Sequence, residues 1–384
     1  MKSINKKDWK KISLGEVCRN VNETVNNPLE EGIERYIGLE HIEPGNLHIR
    51  SWGKVSSGTT FTKKVKVGQV LFGKRRAYQK KAAVASFEGI CSGDILVLEA
   101  NEKIIEKKLF PFLISSDRFF DYAVQTSAGS LSPRTKFQDL AKFEFLLPPK
   151  EQQDKLAELL WAADTEIEKY KNLIKKIEIY QTVYALANFQ DKERPLSSIT
   201  SIAEINPSMP KNLPDPDSEV SFLAMADVSE TGRIINLQKR KLKDVRKGYT
   251  YFGEGDTLFA KITPCMENGK GALIADLVNN IGFGSTEFHI IRPFKESDKL
   301  YCYYLSKMKL FRTEAEKLMV GSAGQKRVQG DFFDYFTFHV PDEWKRQKFG
   351  ETMKRIEAET EKISDLKEIA RRIQNRYINQ IFST

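Results

Sequence analysis

The sequence predicts an α+β fold: two similar globular domains of twisted, mainly antiparallel sheet, joined by two long antiparallel coiled-coil helices with pseudo-twofold symmetry. Three observations predict it. The chain repeats itself in order, two stretches carry heptad apolar spacing, and the remainder reads as short strands among Gly-rich and Pro-rich turns.

The repeat is clearest at Gly68-Gln69-Val70-Leu71-Phe72-Gly73-Lys74, which returns as Gly255-Asp256-Thr257-Leu258-Phe259-Ala260-Lys261 at an offset of 187 (255 minus 68). Tyr36-Ile37-Gly38-Leu39 pairs with Phe222-Leu223-Ala224-Met225, and Gly45-Asn46-Leu47 with Gly232-Arg233-Ile234. Ser127-Ala128-Gly129 pairs with Ser322-Ala323-Gly324, and Phe145-Leu146-Leu147-Pro148 with Phe338-His339-Val340-Pro341. The order is kept and the offset drifts as small loop insertions would make it drift. A period this long is no solenoid, whose repeats run about 20 to 50 residues.

In chain order, residues 1–150 form the first globular domain, with strand-like runs at Leu71-Phe72 and Gly93 to Leu98 and a helix predicted over Phe110 to Val124. Residues 151–188 form the first long helix, free of Gly and Pro. Leu156, Leu160, Ala163, Ile167, Tyr170, Ile174, Ile177 and Tyr184 fall on alternating spacings of four and three, with Gln181 the one polar interruption. Residues 189–342 form the second globular domain, whose copy opens at Arg194-Pro195. It has strand-like runs at Thr257 to Ala260, Glu287 to Ile291 and Phe336 to Val340, and a helix predicted over Leu300 to Leu318. Residues 343–384 form the second long helix. Phe349, Met353, Ile356, Thr360, Ile363, Leu366, Ala370, Ile373 and Tyr377 make its stripe, with one slip near Leu366. Leu156, Leu160, Ile167, Ile174 and Ile177 are expected to pair with Met353, Ile356, Ile363, Leu366 and Ile373. Each helix follows a Pro-marked boundary and opens with acidic residues, as the helix dipole favours.

Of 384 residues, 61 are Lys or Arg and 52 Asp or Glu, a net charge of +9. The excess sits in residues 1–150, with 25 basic against 17 acidic residues, whereas 191–340 holds 21 against 20. A polyanionic partner fits that distribution. The amino terminus has no apolar stretch of signal-peptide type, and no apolar run approaches the roughly 20 residues that span a bilayer. Cys18, Cys91, Cys265 and Cys302 have no framework spacing. A cytoplasmic location and no membrane contact are expected.

The most distinctive string is Gly255 to Lys270. A strand delivers Lys261 and the polar group Thr263, Glu267, Asn268 and Lys270 into a loop where short side chains can meet base edges and lysines phosphates. The first copy answers with Lys74, Arg75, Arg76, Tyr78 and Lys80. A second pair of loops, Thr126 to Lys136 and Gly321 to Gln329, supplies Arg134 and Lys136 in one copy and Lys326 and Arg327 in the other. The frame around these loops repeats while their contents differ, as two readers of two short sequences require. The runs Lys239-Arg240-Lys241-x-Lys243 and Arg246-Lys247 are read either as solvated faces or as backbone contacts.

Catalytic readings do not assemble. Gly321 to Lys326 lacks P-loop spacing, and Gly271 follows Lys270 where a P-loop needs Ser or Thr. Asp342-Glu343 are adjacent at a helix start rather than brought together from separate strands to hold Mg²⁺. No amino-methyltransferase loop occurs, and His41, His48, His289 and His339 lack metal spacing. No catalytic residue, metal ligand or cofactor site is expected in this chain.

Two unlike globular copies, each followed by a heptad-bearing helix, with Gly-Asp-Thr-Leu-Phe-Ala-Lys-Ile-Thr-Pro-Cys-Met-Glu-Asn-Gly-Lys at 255–270, resemble the specificity subunit of type I restriction-modification systems. The resemblance covers essentially the whole chain. It implies that each copy is a target recognition domain reading one half of a bipartite site in double-stranded DNA. It further implies that the helices set the gap between halves and dock two methyltransferase subunits, and that restriction subunits join the full complex. S-adenosylmethionine, ATP and Mg²⁺ then belong to those partners. Copy one departs from the loop pattern at Lys74 to Gln79, which leaves its individual contacts open. The competing reading is a coiled-coil scaffold binding nucleic acid without sequence preference.

Overall fold

The computed structural model describes residues 4–189, 196–322 and 324–383; Arg194-Pro195 and Ala323 lie outside them. The chain divides into two compact units, residues 1–171 with 364–384 and residues 172–363. Each unit takes one globular part and half of each long helix.

In the first unit a four-stranded antiparallel sheet runs in the order Cys18–Val21, Ile95–Ala100, Val70–Gly73, Ala82–Val84. A second sheet runs Gly53–Lys54, Arg35–Ile37, Gly89–Cys91, Lys63–Val65, its central pair parallel. Lys10–Ser13 pairs with Glu144–Leu147 beside them. The second unit repeats all three. Its sheets run Ala203–Ile205, Phe288–Pro293, Thr257–Ala260, Gly271–Leu273 and Gln238–Lys241, Glu219–Leu223, Ile281–Gly284, Thr250–Gly253, again with one parallel pair, and Leu196–Ser198 pairs with Thr337–His339. Gly68 and Gly255 precede matching strands with φ of +85° and +84°, a conformation that side chains with a Cβ rarely adopt.

The main core of each unit is aromatic and closed by a helix end. In the first, Phe72, Phe119, Phe143 and Phe145 pack with Ala157 and Leu160 of the first long helix and with Ile378, Ile381 and Phe382 of the second. In the second, Phe259, Phe311, Phe333 and Phe338 pack with Phe349 and Met353 of the second long helix and with Ala185 and Phe189 of the first. Phe382 meets Phe145 edge-on at 6.1 Å, and Phe189 meets Phe338 at 5.6 Å. The end of each long helix therefore plugs the core that the start of the other flanks.

The long helices run Lys150–Phe189 and Glu343–Phe382, 40 residues each, or about 60 Å. Their pairing is antiparallel within each unit: the Gln374 amide donates to the Leu160 carbonyl at 3.1 Å in the first, and Tyr184 stacks on Phe349 at 5.6 Å in the second. Leu160, Ile167 and Met353 are buried, and Leu156, Ile174, Ile177, Ile356 and Ile363 half-buried. The expected slip at Leu366 does not occur. Leu366 is 48% exposed and Ile373 41% exposed, so neither pairs. The heptad continues unbroken through Thr360, Lys367, Gln374 and Ile381 on one flank and Ile363, Ala370 and Tyr377 on the other, all half-buried or buried. Unbroken geometry outweighs apolar side chains that stand a residue off the seam.

Carboxylates at matching helix positions tie each globular part to its own helix. Asp164 accepts from His48 Nε2 at 2.6 Å and Glu168 pairs with Arg50. In the second unit Glu357 accepts from the Tyr304 hydroxyl and from Lys307, both at 2.7 Å, and Glu361 pairs with Arg233.

The two short helices predicted as single rods are each broken. Phe110–Ser115 and Asp117–Gln125 part at Ser116, which is extended (ψ 144°) and caps the second piece by accepting from the Phe119 amide. Lys299–Lys307 and Lys309–Lys317 part at Met308, likewise extended.

Candidate nucleic-acid interface

At the end of the Val70–Gly73 strand the backbone is clasped on both sides. The Lys74 amide donates to Asp94 O at 3.0 Å, the Thr135 amide to Lys74 O at 3.0 Å, and the Arg76 amide to Pro133 O at 2.8 Å. In the second unit the Lys261 amide donates to Glu287 O at 2.9 Å, Val328 to Lys261 O at 2.9 Å, and Thr263 to Lys326 O at 3.0 Å. These six bonds superimpose the repeat on itself. They also join the two loops that the sequence singled out in each copy, so Lys74 to Lys80 meet Arg134 and Lys136, and Lys261 to Asn268 meet Lys326 and Arg327.

A carboxylate missed in the sequence organises each junction. Asp94 accepts from Arg134 Nε at 2.8 Å and Arg75 Nη1 at 3.4 Å; burial alone raises its carboxyl, and these guanidiniums outweigh that and hold it below the usual range. Glu287 accepts from Arg327 Nε at 2.9 Å and Nη2 at 2.8 Å, and this hydrogen bonding lowers its carboxyl against partial burial. Asp94 and Glu287 stand at corresponding places just before matching strands. Repeat alignment of acidic residues facing the loop arginines is the signal that finds them.

The candidate residues divide by role. Tyr78 is 57% exposed on the short turn Ala77–Gln79, Lys136 and Lys326 are exposed, and Lys74 and Lys261 half-exposed. Lys80 pairs with Asp117 at the foot of the next helix. Glu267 and Asn268 are exposed; Glu267 accepts from the Thr263 hydroxyl at 2.6 Å, and Asn268 donates to Glu230 at 2.8 Å. Lys270 turns inward, its ammonium donating to Met225 O at 3.1 Å, and Lys81 does the same to Leu39 O at 2.6 Å in the first unit. That repetition makes Lys270 part of the frame rather than of the tip. Arg134 and Arg327 have their forks on carboxylates, so they fix the loops as well as facing solvent.

The second tip has a support that the sequence did not reveal. Arg312, 7% exposed, donates from Nη1 to Met266 O at 2.6 Å and from Nη2 to Lys270 O at 3.3 Å, with its guanidinium 4.9 Å from the Phe259 ring. Burial pushes it down to about 10, still protonated at neutral pH. The matching residue in the first unit is Phe120, stacked on Phe72 at 5.5 Å. Nearby, His289 Nε2 donates to Val328 O at 2.9 Å while Asn206 Nδ2 donates to Nδ1 at 3.0 Å, and burial lowers its basicity.

The basic run at Lys239 to Lys243 lies on and beside an edge strand and is largely neutralised. Lys239 pairs with Glu219 at 3.7 Å, Lys241 and Lys243 with Asp217 at 3.0 and 2.7 Å, and Arg240 lies over Phe222 at 4.0 Å. Charged edges of this kind deter strand pairing with other chains. Among the described residues no acidic, His or Cys cluster could hold a metal, and no helix is long and apolar enough to cross a membrane. Burial pushes the Cys18 and Cys91 thiols up to about 12, so neither is a nucleophile at neutral pH.

Comparison with known proteins agrees with this architecture. Residues 6–178 match the type I restriction modification DNA specificity domain. Over 159 residues, 39% of this chain, it is 40% identical to the type I restriction enzyme EcoAI specificity subunit of Escherichia coli, covering 27% of that relative. It is 37% identical over 146 residues to the EcoEI specificity subunit of the same organism, covering 38% of this chain and 24% of that one. The chain thus spans about a quarter of the length of these curated relatives. Among solved structures, the type I restriction-modification S subunit from M. genitalium aligns over all of this chain and 98% of its own, with a TM-score of 0.58 at 12% identity. A chain from a structure of type I R-M complex assembly and conformational transition aligns as fully, with a TM-score of 0.58 at 16% identity. At such identities the likeness shows the fold alone. Residues 6–178 are thus similar to type I restriction modification DNA specificity domains, and the whole chain shares the fold of the two solved structures.

Proposed function

We propose that this chain is the DNA-reading subunit of a type I restriction-modification complex, each unit reading one half of a bipartite, asymmetric site. The single observation that carries this reading is a clasped loop pair, repeated bond for bond, whose frame is kept and whose exposed contents differ. The long helices set the gap between the halves and dock two methyltransferase subunits, with restriction subunits joining them. S-adenosylmethionine, ATP and Mg²⁺ are bound by those partners. At the tips, Lys74, Lys136, Lys261 and Lys326 meet phosphates, while Arg75, Arg76, Tyr78, Thr263, Glu267 and Asn268 face base edges.

The test compares binding of the purified chain, alone and in its host complex, to duplexes selected from a random pool and to unselected ones at fixed salt. The reading expects roughly 10³-fold or greater preference for the selected duplexes. Equal affinities with a steep salt slope would leave only a sequence-neutral scaffold.

A further inference from the structure

The tip of the first unit holds more cationic donors than its frame needs. Arg75, Arg76 and Arg134 converge on two acceptors, the Asp94 carboxylate and the Ser132 hydroxyl. Arg134 and Arg75 share Asp94, and the Nη2 atoms of Arg75 and Arg76 reach Ser132 Oγ at 3.2 and 3.4 Å. The Nε atoms of Arg75 and Arg76 are buried without a hydrogen-bond partner. Three guanidiniums carry about 15 N–H donors and three positive charges, against one carboxylate and one hydroxyl.

The second unit shows that the frame does not demand this. It closes the same loop pair with one arginine and one carboxylate, Arg327 and Glu287, and sets Ile262 and Thr263 where Arg75 and Arg76 stand. The two extra guanidiniums therefore hold donors that closing the loop pair does not require, and acceptors outside the chain can take the Nη donors.

A duplex offers two kinds: guanine O6 with N7, and phosphate oxygens. A phosphate contact asks only for charge, which Lys74 and Lys136 supply beside the cluster. A planar fork held by Asp94 and Ser132, on a loop bonded at both sides, suits the two acceptors of a guanine edge, the commonest specific arginine contact. Resting on the function proposed above, we infer that Arg75 and Arg76 read guanine O6 and N7 in the half-site of the first unit. Asp94 and Ser132 are their positioning residues.

The test is selection of binding duplexes from a random pool by the full chain in its complex, for the natural protein and for the Arg75→Lys, Arg76→Lys double variant. That variant keeps charge and loses the forks. The first unit's half is the one that a Thr263→Ala, Asn268→Ala variant leaves unchanged. The natural protein should hold an invariant G·C pair there. The lysine variant should lose about 10- to 100-fold in preference at that pair alone, with the other half retained as proof of folding. Asp94→Asn should relax the same pair to a smaller extent, which a general loss of structure would not do. The inference is overturned if no G·C pair in that half relaxes. It is also overturned if binding weakens equally for all sequences while the salt slope falls by one or two, the mark of phosphate contacts. A natural protein that enriches no sequence refutes the proposed function itself, whereas an enriched site indifferent to the lysine variant refutes the guanine contact only.

Discussion

The two units use charge in opposite places. At three matching support positions the first unit uses a neutral side chain where the second uses a charged one, whereas at the tips the first concentrates cations and the second is polar and nearly neutral. Where Gln69 accepts from the Lys66 amide at 2.8 Å, Asp256 accepts from the Gly253 amide at 2.7 Å and is clasped by Arg292 at 2.6 and 2.8 Å. Where the buried Gln153 donates to Pro148 O at 2.9 Å, Arg346 donates to Pro341 O and pairs with Asp298 at 2.7 and 3.0 Å. Phe120 gives way to Arg312. The same backbone bond is satisfied by an amide in one copy and by a charge in the other. The lesson is that the frame constrains hydrogen-bond geometry and leaves charge free to vary.

That contrast can be broken most strongly at Asp298. Asp298→Ala leaves Arg346 buried without its counter-ion and should cost the second unit about 3–5 kcal/mol, read as lost amide hydrogen-exchange protection there with the first unit unchanged. Gln153→Ala, its neutral counterpart, should cost the first unit only about 1–3 kcal/mol. Arg312→Met frees two loop carbonyls and should cost about 2–3 kcal/mol, with deprotection concentrated at 262–270. Gln374→Leu should stabilise the helix pair of the first unit by about 1 kcal/mol, because Leu160 O keeps its helical bond and the seam gains apolar contact.

The smallest effect is a pH dependence of the second unit. Burial lowers His289 below its ordinary 6.5, so in that window the unfolded chain binds more protons than the folded one. Stability of the second unit should therefore decline as pH falls below about 6.5, until the folded-state value is passed, and His289→Gln should flatten that slope. An unaltered slope in a denaturant series followed by hydrogen exchange would exclude the histidine as its source.

The fold was legible in the sequence because the repeat and the heptads are local patterns with long reach. Gly68 to Lys74 against Gly255 to Lys261 located corresponding strands, and the apolar stripe of 156–184 traced a seam that the structure follows. Leu366 and Ile373 misled because hydrophobicity was followed where geometry ruled: Lys367 and Gln374 hold the seam despite their polarity. The repeat located the candidate loops, and the structure adds that the two loops of each copy are bonded to each other. Asp94, Glu287 and Arg312 stayed hidden because their partners are far off in sequence, 40 residues in the case of Asp94 and Arg134. Lys270 was misplaced because a lysine's side chain can turn either way, and only its counterpart Lys81 shows which way the frame holds it.

The most direct test of two separate readers on one chain is selection of duplexes by the full complex carrying Thr263→Ala and Asn268→Ala. Relaxation of one half-site, with the other half and the gap between them kept, is the predicted result. Simultaneous change in both halves would contradict independent reading by the two units.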